Sequence, residues 1–158
     1  MTTKKIFIAS SAELKLERME LVDLIMDLDL EWKELGIRFE SELWESIDSS
    51  MRAKRKEDEY IEKLKECNVC LVLFWKTLGQ YTVEELNIAI SEMQAGRLPQ
   101  QVHVLYKSTD DEISANLQVF KELFAQQHRN ISCSTFDSIK KMRDYVTQIL
   151  TQDYSQMK

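Results

Sequence analysis

The chain has 158 residues, 44% of them apolar, which is enough to close one core without disulfides or metals, and its three glycines and single proline leave no room for a long flexible linker. Twenty-seven acidic against twenty-one basic residues give a net charge of −6, which argues against generic binding to nucleic acid or to an anionic membrane, since both need a basic surface. No stretch approaches the roughly 18 uninterrupted apolar residues of a membrane span, and the start MTTKKIFIAS lacks the small-residue cleavage site of a signal peptide, so a cytoplasmic protein is expected.

In chain order, Lys5–Ser10 is a short apolar run that predicts a strand buried on both faces. Ser10 to Glu13 reads as a capping box, with Ser10 as N-cap, and the helix that follows carries Leu14, Leu21, Ile25 and Leu28 on one stripe before Gly36 stops it. Ile37–Glu42 alternates apolar and polar residues, the pattern of an edge strand. A helix is predicted from about Ser50 to Glu66, with Tyr60, Ile61 and Leu64 inward. On its outside the basic run Arg52 to Lys56 has acidic partners at i,i+4, Lys54 with Asp58 and Arg55 with Glu59, and reads as a solvated face.

Val69–Trp75 is the longest apolar run and predicts a central strand. Lys76 to Tyr81 makes a loop, Thr82 and Glu85 form a second capping pattern, and Leu86, Ala89, Ile90 and Met93 give a stripe closed by Gly96 and Pro99. Val102–Tyr106 is a fourth strand, with Lys107 at its end. A helix with Asp110 and Asp111 near its start and a stripe of Ile113, Leu117, Phe120 and Phe124 follows. Ile131–Cys133 is a short fifth strand, and the last helix buries Ile139, Met142, Val146 and Ile149. Residues 1–152 form one α/β domain in this reading, and 153–158 a frayed tail.

Five strands alternating with five helices predict a parallel sheet covered on both faces, a flavodoxin-like three-layer domain with strand order 2-1-3-4-5. Ligand groups then gather where the first and third strands end. The turn after the first strand has no glycine, so neither a G-x-G-x-x-G nor a P-loop is present, and the strand ends lack the aspartates of a phospho-acceptor domain. A Ser/His/Asp triad has no suitable histidine, since His103 falls within the fourth strand and His128 near the end of the fourth helix. Cys67 and Cys70 make a C-x-x-C without a second paired set at ligand spacing, and no metal or cofactor is expected. What remains at the rim is Ser10, Ser11, Trp44, Glu45, Lys76, Tyr81, Glu84 and Glu85, which suits a polar ligand with an aromatic ring.

The segments IFIASSAEL, ELWESIDSSMRAKRKEDEY, ECNVCLVLFWKTLGQYT and EELNIAI resemble a bacterial subgroup of Toll/interleukin-receptor (TIR) domains that is also found fused to signalling ATPases. The wider family's aromatic-x-x-x-Glu-Leu-x-x-Ala pattern is matched by Tyr81, Glu85, Leu86 and Ala89, with tyrosine where tryptophan is usual. The resemblance implies cleavage of the nicotinamide–ribose bond of NAD, with NAD as substrate and Glu85 as the catalytic carboxylate. Ser10, Ser11, Trp44, Glu45, Lys76 and Tyr81 are then candidate nucleotide contacts. It also implies self-association and an activating protein partner in bacterial signalling or defence. Two other readings stay open on the residues: a non-catalytic interaction module in which Glu85 only caps its helix, and a nucleoside deoxyribosyltransferase-like enzyme acting on another N-glycosidic bond.

Overall fold

The apolar runs after Lys5 and after Asn68 have no polar side to turn to water, and in the computed structural model of the chain, which describes residues 1–43, 54–108 and 113–157, they are adjacent strands. The elements in order are β1 (Thr2–Ser10), α1 (Lys15–Trp32), β2 (Ile37–Leu43), α2 (Lys54–Leu64), β3 (Val69–Phe74), α3 (Gln80–Gln94), β4 (Gln101–Lys107), α4 (Ala115–Gln127), β5 (Ser132–Phe136) and α5 (Ile139–Thr151). The five strands form one parallel sheet in the order β2-β1-β3-β4-β5, the flavodoxin-like arrangement expected from the alternation of strands and helices.

Two cores follow from the alternation of side chains along each strand. Ile6, Ile8, Leu71 and Leu73 pack under α1 and α5, whereas Phe7, Cys70, Val72 and Phe74 pack under α2, α3 and α4. Ile6 to Ile8 and Val69 to Leu73 have no exposed surface at all. Gly36 ends the turn after α1 in the left-handed region, φ +84°, as its position in the sequence suggests. Among the described residues no helix is long and apolar enough to cross a membrane.

Several boundaries differ from the sequence reading. β1 begins at Thr2, because Thr2 and Thr3 pair with Ile37 and Arg38 of β2 although nothing apolar marks them. β5 runs to Phe136 rather than ending at Cys133; it is an edge strand of small polar residues whose backbone, not its side chains, follows β4. The tail expected to fray instead continues as a 3-10 helix, Gln152–Met157. There Asp153 takes a salt bridge of 3.2 Å from the buried Lys4, and the Tyr154 ring packs against Trp32 and Phe39. The stretch predicted to enter α2 from Ser50, Arg52 and Ala53 at the start of the basic run, and Asp110 and Asp111 lie outside the described residues.

The edge strand β2 is held to α1 by one carboxylate. Asp29 accepts from Arg38 at Nε (2.7 Å) and Nη2 (2.9 Å) and from the backbone N–H of Phe39 (2.9 Å). The Arg38 guanidinium holds the Asp29 carboxyl below its ordinary value, so the interaction stabilises the fold above the unfolded pKa near 4 and is lost as pH falls through the depressed folded value. Asp29→Asn is expected to lower the urea midpoint at pH 7, and the midpoints of variant and wild type are expected to converge as the pH falls below the depressed folded-state value.

Candidate functional site

The C-terminal ends of β1, β3 and β4 lie along one rim, with Ser10 in register with Leu73, and Phe74 with Tyr106. Ser10 is half-buried, and the chain then turns through a 3-10 turn, Ala12–Leu14, before α1. The expected capping box is not formed there. Ser11 rather than Ser10 holds the N-cap position, and its side chain makes no cap hydrogen bond. Glu13 instead reaches across the rim, its Oε1 accepting from the backbone N–H of Lys76 (2.9 Å) and of Thr77 (3.0 Å). The loop after β3 presents two amides with no strand to pair them, and a carboxylate oxygen with two lone pairs serves both.

The second capping pattern is not realised either. α3 starts at Gln80 with Gly79 as N-cap and no side-chain cap bond, so Thr82 and Glu85 are inside the helix. They are 3% and 2% exposed, because Thr82, Glu85, Leu86 and Ala89 fall at i, i+3, i+4 and i+7 and form the stripe that faces the sheet. Gly79 sits where the two rim loops touch: a Cβ there would come within 3.0 Å of Thr82 Oγ1 and 3.4 Å of Ser11 Cβ. Ser11, Gly79 and Thr82 therefore meet at the rim, and Glu85 lies one helical turn below. Tyr81, half-buried, precedes Glu85 by four residues on the same helix, whereas Glu84, expected as a first-turn acid, is exposed but falls in the second turn because the helix starts at Gln80. Burial, reinforced by the Glu85 carboxylate, pushes the Cys70 thiol well above its ordinary value.

Lys76 stands farther along the rim, with its ammonium 4.4 Å from the centre of the Trp75 ring. Trp44 and Glu45, the other two expected contacts, lie outside the described residues. The structure thus brings Ser10, Ser11, Tyr81 and Glu85 to the β1–β3 end of the rim and places Lys76 toward β4.

Four residues that the sequence reading did not select also belong to this rim. Glu17 on α1 is 2% exposed and its Oε1 accepts from Lys107 at 3.3 Å. Lys107 also lies 3.9 Å over the Trp75 ring, which is flanked by the two lysines. Ser10 Oγ, Ser11 Oγ, Glu17 Oε2, Trp75 Nε1 and Tyr106 Oη are all buried without a hydrogen-bond partner. Buried polar groups are otherwise nearly always paired, so such a concentration makes this rim the candidate site. The signal for Glu17 was in the sequence: it falls three residues after Leu14 and four before Leu21, a charge on the apolar stripe. For Trp75 and Tyr106, inside or ending apolar runs, no local signal separates a rim position from core.

Cys67 donates its thiol to the Lys63 carbonyl (3.3 Å), burial pushes its pKa up to about 12, and among the described residues no group of three or more His, Cys, Asp and Glu side chains converges. His128 ends α4 against Phe124, and His103 lies inside the sheet with its pKa depressed by burial, so neither reaches the rim serines. No protein-family model and no curated protein matches the chain.

Glu13 is the strap between the two rim loops. Glu13→Ala is expected to cost about 1–3 kcal/mol in urea unfolding, and to raise amide hydrogen exchange selectively at Lys76 and Thr77.

Proposed function

We propose that the chain is a TIR-like NAD glycohydrolase in which Glu85 acts on the ribose of the nicotinamide–ribose bond. The observation that carries this reading is that Glu85 is a buried carboxylate on the sheet-facing stripe of α3, inside the helix and not at its cap, one turn below the serines that close the rim. A helix-capping role, the plainest structural account of Glu85, has no place for a residue in the second turn.

Cleaving an N-glycosidic bond develops positive charge on the ribose ring, and a carboxylate fixed in a dry site stabilises that charge far better than one in water. Nicotinamide is cationic in NAD and leaves neutral, so no general acid is required of the leaving side. The hydroxyls of Ser10 and Ser11, buried and without partners, suit the ribose and diphosphate of the nucleotide, and Tyr81 offers a ring beside Glu85 for stacking. In this reading the enzyme works in the bacterial cytoplasm, in signalling or defence, and is switched on by assembly or by an activating partner.

Assembly is supported by α1. Its inner face carries Leu21, Ile25 and Leu28, yet Leu16, Met19, Met26 and Leu30 are 65%, 49%, 60% and 69% exposed along a second, outer stripe. An exposed apolar row of this length marks a protein-binding face. The same stripe favours the interaction module as the second reading.

Nicotinamide release from NAD, followed by liquid chromatography at high protein concentration with a crowding agent, separates the two. Wild type is expected to release nicotinamide, and Glu85→Gln to reduce the rate about 100- to 1,000-fold, the loss typical of one electrostatic stabiliser. Equal release by both, or none from wild type while light scattering shows assembly, overturns the enzyme reading. Met26→Glu is expected to reduce light scattering from assemblies, and to lower activity most at low protein concentration.

A further inference from the structure

Away from the rim, the 3-10 helix Gln152–Met157 that follows α5 meets the N-terminal ends of β1 and β4. Asp153 Oδ2 accepts from Lys4 Nζ (3.2 Å) and from Gln101 Nε2 (3.5 Å), and the Tyr154 ring packs on Trp32 and Phe39. We propose that this helix is a latch that acid releases, with protonation of His103 as the trigger.

The hydrogen bonds fix where that proton must go. Gln101 Nε2 donates to Asp153, so it is the acceptor Oε1 that faces His103 Nε2, 3.3 Å away. Nε2 therefore carries the hydrogen of the neutral ring, and Nδ1 is its bare nitrogen. Nδ1 is buried and has no hydrogen-bond partner. A second proton would sit there as an N–H with no acceptor, and a buried donor without a partner is costly. The latched structure has a place for neutral His103 and none for the cation.

Charge points the same way. His103 sits in β4 between Leu71 of β3 and Ser132 of β5. On its face of the sheet β3 brings Val69 and Leu71, which carry no charge, and α5 brings Tyr145, whose hydroxyl bonds Ser132 at 3.2 Å. β1 brings the ammonium of Lys4, and the latch brings Asp153. That carboxylate is already shared between Lys4 and Gln101 and is half-exposed, so it does not offset a second buried cation. Burial first, and the Lys4 ammonium second, hold His103 below its ordinary value.

In the released form the ring is in water and titrates near about 6.5. The latch is therefore at full strength above that value and weakens as the pH falls through it, toward the depressed value of the latched form. Asp153 as an ordinary carboxylate discharges only near about pH 4, so a step between pH 7.5 and 5.5 belongs to His103. Release bares Lys4, Trp32 and Phe39, now 5%, 4% and 3% exposed, as an aromatic patch at the β2 edge of the sheet. The latch stands whether or not NAD is cleaved.

The test is amide hydrogen exchange of the full chain at pH 7.5 and 5.5, read as protection factors so that the intrinsic rates cancel, together with a magnetic-resonance titration of the His103 ring. Protection at Ser155 and Gln156 is expected to fall about tenfold between the two pH values, the factor set by one pH unit below the free histidine value, while Val146 and Ile149 of α5 keep theirs. The His103 midpoint is expected below about 6.5. His103→Gln, which keeps a donor for Gln101 and cannot titrate, is expected to make protection at Ser155 and Gln156 the same at both pH values. A midpoint at or above about 6.5, protection in wild type that does not change with pH, a fall shared by α5, or an equal fall in the variant overturns the proposal.

Discussion

Burial of β1 and β3 on both faces is the constraint on which the rest of this molecule depends. Their backbones satisfy one another and their neighbours, and Ile6 to Ile8 and Val69 to Leu73 expose no surface, so polar groups are costly in the middle of the sheet. Polar chemistry is pushed to the strand ends. At the lower end Lys4 escapes from the core by reaching Asp153 and the Leu150 carbonyl, which draws the last helix down over the sheet. At the upper end the loops must find partners for their own amides, and Glu13 supplies them across the rim.

The two carboxylates placed on sheet-facing stripes, Glu17 on α1 and Glu85 on α3, flank that rim from opposite faces of the sheet. Each occupies a position where helix periodicity demands an apolar residue. A charge in such a place lowers stability unless something compensates it, and for Glu17 the compensation is visible in Lys107. The partnerless hydroxyls and the indole N–H around them carry the same implication. Stability has been given up along one edge of the sheet, the edge where open α/β sheets hold ligands.

Capping motifs show why a short pattern read alone misplaces function here. Ser-x-x-Glu after β1 and Thr-x-x-Glu after β3 both match a helix start, yet neither carboxylate turns back to its own helix. In the first case the chain enters a 3-10 turn and the loop after β3, 63 residues away, offers better donors. In the second the helix begins at Gln80, earlier than the pattern suggests, because Gly79 lets the chain turn against Ser11, and Thr82 and Glu85 are drawn inward. Glu85 was thus singled out from the strand-loop-helix order, while its local geometry, buried inside the helix, was not legible. Glu17 was legible, as a charge breaking an apolar stripe. Trp75 and Tyr106 were not, because hydrophobic pattern does not distinguish a ring in the core from a ring at the end of a strand.

The sequence by itself determined the layered α/β architecture, the strand order and the identity of the buried and edge strands, because these follow from periodicity and from the length of apolar runs, which are local quantities. It also located the rim, since topology places strand ends. Only the tertiary structure decided which polar groups on that rim are satisfied and which are left waiting. That depends on contacts between residues far apart in the chain, Glu13 with Lys76, Glu17 with Lys107 and Lys4 with Asp153, and no local pattern encodes a hydrogen bond whose partner is chosen by the fold.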